Sequence, residues 1–395
     1  MSSLDRLRAV SGRRVEVRSC SRRAFDDVFI TVRADPAAPV EDEVRRAFAA
    51  LAAVMVERGA LAFQEKVYGL CAERAMIDRV RTATYEAHRI DASTPYSFHE
   101  GRPIGGSSLA GVQLWGVVSK DGRTAVSTIE SGEFRGRLIS GPGFGALHVN
   151  HLHGLDAAGR LREDPTGQAA AMFERAAAVL ASQGFDFRDV VRTWIYSKRL
   201  LDWYGGLNSV RTRFFEVHGV GADSGRSFPA STGIQGVTDF EEVSMDVLAM
   251  RGTDGQLLTD ALHESCRQDR PFEYGSAFSR AMRVSLFGGD SIFVSGTASI
   301  ERSGSSIYVG NAESQILETL LSIGALLRER GAGLADITSA TVFCKTESVL
   351  ERFDEVARLL GIPAFPYVAV LADVCRPELL VEIEAIAAKS AEGPA

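Results

Sequence analysis

The sequence has little cysteine, no excess of basic residues and no long apolar run. Its five cysteines are scattered, with an odd total and no Cys-x-x-Cys pair, so we expect neither a disulfide framework nor a structural zinc site. The formal net charge of -7 excludes the basic stripe that nucleic acid or an anionic membrane requires. The amino terminus lacks the apolar core of a secretory signal, and no apolar run approaches the ~20 residues that cross a bilayer. These absences predict a cytoplasmic protein with no nucleic-acid or membrane partner.

The composition is that of a soluble globular protein. The chain has 395 residues, of which 45% are hydrophobic and 24% are charged. Three units of roughly 110 to 130 residues fit this length, as do two or three domains of ordinary size.

The last strand-like run, 381–387, alternates apolar and acidic residues and has two weaker counterparts, 243–249 and 110–116. If the three runs are equivalent strands, the chain contains one fold three times. Only the last run carries Glu at its first polar position: Glu382 stands where the others have Ser244 and Gly111. This difference predicts a single active site.

A longer order of elements is also repeated: an amphipathic helix, a Gly, a strand and a second helix. The Gly residues that end the first helices are Gly59, Gly184 and Gly331. Polar, Gly- and Ser-rich stretches at 119–145 and 251–275 are predicted to link the copies. We therefore predict an α+β fold of three tandem units, 1–120, 121–255 and 270–395, packed around a pseudo-threefold axis.

Three motifs of the third unit resemble the YjgF/RidA superfamily: Gln315-x-x-Glu318-Thr319-Leu320, the strand 340–343 and the run 381–387. The resemblance implies ligand sites at the interfaces between units, because members of that superfamily are homotrimers with sites between subunits. Its simple deaminases carry an Arg after the Pro that opens the last hairpin. This chain has Tyr367 there, a departure from the imine-deaminase pattern.

Two further features resemble the chorismatases, which convert chorismate to pyruvate and a ring acid. Cys375 lies seven residues before Glu382, and the turn 295–299 reads Ser-Gly-Thr-Ala-Ser. The resemblance implies a single site between the second and third units, a substrate such as chorismate, and no metal or organic cofactor. It also implies a monomer or a weak homodimer. The alternatives are an enamine or imine hydrolase, and a non-catalytic protein that binds small carboxylates.

The resemblance implies that Glu382 is the acid that protonates the enol carbon; alternation alone favours a solvated polar face. Glu384 shares that face, and either tunes the acidity of Glu382 by like-charge repulsion or forms a salt bridge between units. Arg192, in an apolar strand, either clamps a substrate carboxylate or pairs with an internal acid. Arg211 is either a surface charge or reaches the same interface.

The remaining candidates are weaker signals. Tyr196 and Tyr367 could donate hydrogen bonds to substrate or be plain core, and Ser295 and Thr297 belong to the turn that resembles the family's substrate-lining turn. Cys375 is either a small buried hydrophobe or, as the resemblance implies, the mark of the 3-hydroxybenzoate-forming branch. The run 150–153, Asn-His-Leu-His, lacks the further ligands of a metal site.

Overall fold

The computed structural model describes residues 15–34, 40–103, 108–156, 158–222, 224, 226–236, 240–253 and 255–390. Within these ranges the chain forms three mixed β-sheets, each with two α-helices packed on one face. The predicted α+β fold of three tandem units is confirmed. No helix in these ranges is long and apolar enough to cross a membrane.

The first sheet has five strands. Its unit consists of β1 (Val15–Ser21), β2 (Phe25–Arg33), α1 (Val40–Arg58), β3 (Leu61–Gly69), α2 (Arg74–Ala87), β4 (Ser97–Glu100) and β5 (Leu109–Ser119). The strand order is β1-β2-β5-β3-β4. The run 110–116 thus lies in β5, at the centre of the sheet.

The second sheet has six strands. Its unit consists of β6 (Ala125–Ser131), β7 (Phe134–Gly141), β8 (Phe144–His153), α3 (Pro165–Ser182), β9 (Val190–Ser197), α4 (Leu200–Val217), β10 (Ala230–Gln235) and β11 (Val243–Gly252). The strand order is β10-β9-β11-β8-β7-β6.

The third sheet repeats that arrangement. Its unit consists of β12 (Leu257–Leu262), β13 (Ala281–Leu286), β14 (Gly289–Ala298), α5 (Ala312–Arg328), β15 (Ile337–Cys344), α6 (Glu347–Leu359), β16 (Tyr367–Leu371) and β17 (Val381–Ser390). The order β12-β13-β14-β17-β15-β16 places β17 where β11 and β5 lie in the other sheets.

The three Gly stops have the backbone conformation that their role requires. Gly59, Gly184 and Gly331 follow α1, α3 and α5 with φ of 65°, 74° and 68°. A side chain is strained in this left-handed region, so Gly ends each helix at little cost.

The two predicted links are wrong. Residues 119–145 contain β6 and β7, and residues 251–275 contain β12. β6 and β12 are edge strands that leave most of their residues exposed or half-buried. Such strands carry polar residues on both faces, and the sequence of an exposed edge therefore resembles that of a loop.

A central core joins the three units. The sheet faces that carry no helices pack against one another, and the buried aromatic residues there come from every unit. They include Phe29 and Trp115 of the first, Trp194 of the second, and Phe293 and Phe343 of the third. Because each sheet buries this face only against the other two, we expect the units to fold as one body.

Candidate active site

Strand register aligns the three runs that the sequence repeats. Glu382, Ser244 and Gly111 occupy the same place in their sheets, each near the start of the central strand and between the same two neighbouring strands. Their register partners are Ala298 and Phe343 for Glu382, His153 and Tyr196 for Ser244, and Arg33 and Tyr68 for Gly111.

A cleft lies between the second and third units and is bordered by Glu382. The second unit contributes α4 and β10, and the third contributes the segment before β13, the end of β14, the start of β17 and the loop before β17. The lining residues are Tyr204, Arg211, Ser231, Gly233, Tyr274, Ser276, Phe278, Arg280, Gly296, Ala298, Ile300, Cys375, Arg376 and Glu382. Glu382 is the only carboxylate among them.

The Glu382 carboxyl is 3% exposed and lies against Gly296 of β14. A Cβ atom built on Gly296 would fall 1.9 Å from Glu382 Oε1, so the acid occupies space that only Gly leaves free. Burial raises the pKa of Glu382 to about 8; the negative charge of Glu384 adds to the rise, and Arg192 opposes it. A carboxyl with such a pKa is largely protonated at neutral pH and can act as a general acid.

Three arginines face this acid across the cleft, and none of them takes part in an ion pair among the described residues. Arg211 donates to Asn208 Oδ1 at 2.6 Å and Arg280 donates to the carbonyl of Asp269 at 2.9 Å. Arg376 donates to the carbonyl of Gly304 at 2.7 Å. Neutral oxygen atoms hold the three side chains in place, so their positive charges remain available to an anionic ligand.

Cys375 lies beside the acid. Its thiol hydrogen-bonds Glu382, and burial raises the pKa of Cys375 well above its usual range, with the nearby Glu382 charge adding to the rise. The thiol is therefore neutral, and it acts here as a hydrogen-bond donor to the carboxyl rather than as a nucleophile.

Aromatic rings form the remaining walls. The Arg211 guanidinium lies 5.6 Å from the centre of the Phe278 ring, and Arg376 lies 5.7 Å from that of Tyr274. The free volume of the cleft is about 40 Å³, room for a few water molecules. A ring-sized ligand therefore requires the side chains around the cleft to move apart.

Of the residues predicted from sequence, the structure brings Glu382, Cys375 and Arg211 together in this cleft. Ser295 and Thr297 lie just behind it. Ser295 Oγ donates to the carbonyl of Ser279 and accepts from the backbone N–H of Ser231 at 2.8 Å, which ties the two units together. Thr297 Oγ1 donates to the carbonyl of Ser295 at 2.9 Å.

Arg192 and Glu384 meet each other in the central core rather than in the cleft. Arg192 Nη2 lies 2.8 Å from Glu384 Oε2, and Glu384 also contacts Lys66 of the first unit, with Nζ 3.4 Å from Oε1. The structure thus gives Arg192 an internal acid as its partner, the second interpretation of that residue. Glu384 forms a salt bridge between units, and its charge also raises the pKa of Glu382.

The two predicted tyrosines lie at other places. Tyr196 stacks on His99 of the first unit, with ring centres 3.8 Å apart. Tyr367 donates to Asp354 Oδ1 at 2.5 Å, and Arg33 of the first unit lies 4.4 Å above its ring. Neither of them lines the cleft.

Sequence reasoning missed Arg280, Arg376, Tyr204 and Tyr274. Arg376 follows Cys375 directly, and that adjacency was the one available signal. Arg280 lies immediately before β13, in a segment where the sequence predicts no helix or strand.

The corresponding interface between the first and second units has different chemistry. His151 stands in the place of Gly296, and Ser244 in that of Glu382. Arg81 projects from α2 much as Arg211 projects from α4, but two hydrogen bonds of 2.8 Å bind it to Glu65. Asp78 and Glu133 also line this cleft, but Ser244 stands in the place of Glu382 and the charge of Arg81 is paired with Glu65.

The fold is that of a chorismatase. A crystal structure of a chorismatase matches 93% of this chain and 100% of its own chain, with a TM-score of 0.60 and 16% sequence identity. The likeness extends over all three units.

The family follows from sequence matches. The Endoribonuclease L-PSP family model matches residues 272–389. A RutC family protein of Pyrococcus abyssi is 32% identical over 113 residues, which are 28% of this chain and 86% of that protein. A RutC family protein of Pyrococcus horikoshii is 31% identical over 113 residues, which are again 28% of this chain and 86% of that protein. The chain belongs to the RutC family, within the YjgF/RidA superfamily.

Proposed function

We propose that this protein is a chorismatase-like enzyme that converts chorismate to pyruvate and 3-hydroxybenzoate or a related ring acid. One observation carries the proposal: a buried, protonatable Glu382 shares a cleft with three arginines that form no ion pair with any carboxylate of the described ranges. The likeness to a chorismatase in fold supports the choice of substrate.

The charges of the cleft suit a dianion. Chorismate carries two carboxylates, and Arg211, Arg280 and Arg376 supply three cations, one more than the substrate needs. Charge-assisted hydrogen bonds from guanidinium groups are the usual means of holding carboxylates in proteins. The rings of Tyr274 and Phe278 offer apolar surface for the cyclohexadiene.

The reaction needs an acid that can protonate carbon. Glu382 would give its proton to the methylene carbon of the enolpyruvyl group and leave an oxocarbenium-like centre, whose breakdown releases pyruvate. Chorismate has the same atoms as pyruvate and hydroxybenzoate together, so formation of these two products needs no co-reactant. Formation of a dihydroxycyclohexadiene acid instead consumes one water. The chain's own groups suffice for the proton transfer, and we propose no cofactor.

The thiol of Cys375 is placed to influence the outcome. It donates a hydrogen bond to Glu382 and so affects the position of the Glu382 carboxylate after proton transfer. We propose that this residue favours 3-hydroxybenzoate over a dihydroxycyclohexadiene acid.

The three units, 1–120, 121–255 and 270–395, would act as one molecule. The interfaces that homotrimeric relatives form by association are internal here, so we propose that the working form is a monomer or a weak homodimer. Light scattering after size-exclusion chromatography would measure this; a stable trimer of chains contradicts it.

Incubation of the purified protein with chorismate tests the function directly. Pyruvate is measured by coupling to lactate dehydrogenase, and the ring product by chromatography. We expect equimolar pyruvate and 3-hydroxybenzoate. A chorismate-dependent rise in melting temperature without pyruvate would instead indicate a binding protein.

Two Glu→Gln variants give a matched control. Glu382→Gln removes the proton donor and should abolish turnover, whereas Glu351→Gln, on the exposed face of α6, should leave it unchanged. Turnover by Glu382→Gln near that of the parent protein contradicts the assignment of the acid.

A further inference from the structure

A cluster of three charged side chains is buried in the central core, with one residue from each unit. Lys66 lies on β3, Arg192 on β9 and Glu384 on β17, and their side chains are 6%, 2% and 6% exposed. Buried charges are costly unless they are paired, so this arrangement calls for an explanation.

Each oxygen of the Glu384 carboxylate has its own cation. Lys66 Nζ lies 3.4 Å from Oε1, and Arg192 Nη2 lies 2.8 Å from Oε2. Thr341 Oγ1 also donates to Oε1 at 3.2 Å. Burial would raise the pKa of Glu384, but Lys66 and Arg192 lower it below its usual range. Glu384 is therefore a carboxylate.

The other titratable groups around this cluster leave Glu384 as the main partner of Lys66. Asp246 of β11 is the second carboxylate near the ammonium group, but it accepts hydrogen bonds from Ser97 and from the backbone of His151. His99 and His148 flank Asp246; burial lowers their pKa values to about 3 and about 4, so both are neutral. The Lys66 ammonium group also lies 4.0 Å from the centre of the Trp194 ring.

Glu384 and Glu382 are two residues apart on one strand and point to the same face. Glu382 faces the cleft, with Cys375 as its neighbour, and Glu384 faces the cluster. The two carboxyls share Arg192 as a nearby cation, since its charge acts on both. Glu382 and Glu384 hold one proton between them. With Lys66 present, two cations surround Glu384, so this proton lies on Glu382.

We propose that Lys66 is a positioning residue for the general acid: together with Arg192 it holds Glu384 as a carboxylate, so that the exchangeable proton of the pair lies on Glu382. The proposal rests on the proposed function, because it explains how the acid of that reaction is kept protonated. It also gives the first unit a role, although none of the residues described in that unit lines the cleft.

Loss of the Lys66 charge would leave one cation for two carboxyls. The pair would then hold its last proton more tightly, because a positive charge has been removed nearby. That proton would be divided between Glu384 and Glu382, and every molecule with a protonated Glu384 would have an ionised Glu382, unable to act as an acid.

The test compares Lys66→Met with Lys66→Arg, which keeps the charge. With chorismate as substrate, we expect kcat of Lys66→Met at pH 6 to 7.5 to fall at least about tenfold, the change for an acid whose proton is mostly misplaced. KM should stay within about threefold, because Lys66 touches no substrate, and Lys66→Arg should retain most of kcat. An unchanged kcat in Lys66→Met overturns the proposal.

Infrared titration gives a readout that does not depend on turnover. The band of a protonated carboxyl should be present in the parent protein at pH 7 and absent in Glu382→Gln. In Lys66→Met the band should persist to higher pH than in the parent while kcat falls, a combination that a purely structural role does not produce. A band with an unchanged midpoint in Lys66→Met contradicts the proposal even if chorismate proves not to be the substrate.

A double variant covers the case in which Lys66→Met folds poorly. Lys66→Met/Glu384→Gln removes both members of the ion pair and leaves no lone carboxylate. Because Lys66 acts through Glu384, kcat of the double variant should lie within about twofold of that of Glu384→Gln alone, a comparison that does not need the single variant Lys66→Met. A fall of about tenfold on adding Lys66→Met to Glu384→Gln would show that Lys66 acts by another route and would overturn the proposal.

Discussion

Replacement of Gly296 by Ala tests whether the position of the Glu382 carboxyl controls activity. The new Cβ atom would lie 1.9 Å from Glu382 Oε1 and 3.2 Å from Thr232 Cγ2. Ordinary contact begins at 3.4 Å, so the carboxyl must retreat by about 1.5 Å (3.4 minus 1.9).

Both effects of this displacement can be estimated. A misplacement of about 1 Å costs a catalytic group about a hundredfold in rate, so we expect kcat to fall at least about a hundredfold. Overpacking of a closed interior costs about 1–3 kcal/mol of the free energy of unfolding. The variant should therefore fold but work poorly.

Gly233→Ala is the matched control, because Gly233 lines the same cleft and its added Cβ atom would meet only Tyr204 Cε2, at 3.8 Å. Pyruvate release from chorismate measures kcat and KM, and urea unfolding measures stability. We expect Gly233→Ala to remain within about threefold of the parent kcat. A Gly296→Ala variant with parental kcat would refute the reasoning, since the acid would then tolerate a different position.

Four further outcomes are expected. Folding raises the pKa of Glu382 from 4.5 to about 8, so between these pH values the folded protein binds one proton more than the unfolded chain. The free energy of unfolding should therefore fall as pH rises through this window. Glu382→Gln should remove this part of the pH dependence of the melting temperature. The same ionisation should reduce kcat above about pH 8. Arg211→Met should lower kcat/KM about 10- to 100-fold, since a charge-assisted hydrogen bond contributes about 1.5–3 kcal/mol; an effect below threefold would exclude Arg211 as a clamp. Cys375→Val should shift the products toward the hydrolytic acid, and an unchanged ratio by chromatography would exclude a role for the thiol.

The repeat could be predicted because its signals are local. The alternation of the run 381–387 reflects a strand with two different faces, and Gly59, Gly184 and Gly331 are needed where each helix ends. Both patterns depend only on neighbours in sequence. The edge strand β6 gave no such signal, because six of its seven residues are exposed or half-buried and its sequence is largely polar.

The electrostatics of the site could not be predicted in this way. Lys66 and Glu384 are 318 residues apart, and no local pattern indicates that they meet. Arg192 shows the same limit: a buried Arg requires an anion, but the sequence does not tell whether that anion is a ligand or Glu384. Only the packing of three units decides between these partners.

Fusion of the three units into one chain explains why the cluster can exist. In a symmetric homotrimer every residue occurs three times around the axis, so a Glu at the position of Glu384 would bring three carboxylates into the core. Here register gives that position Gln113 in the first unit and Asp246 in the second. One carboxylate can then receive Lys66 from one unit and Arg192 from another.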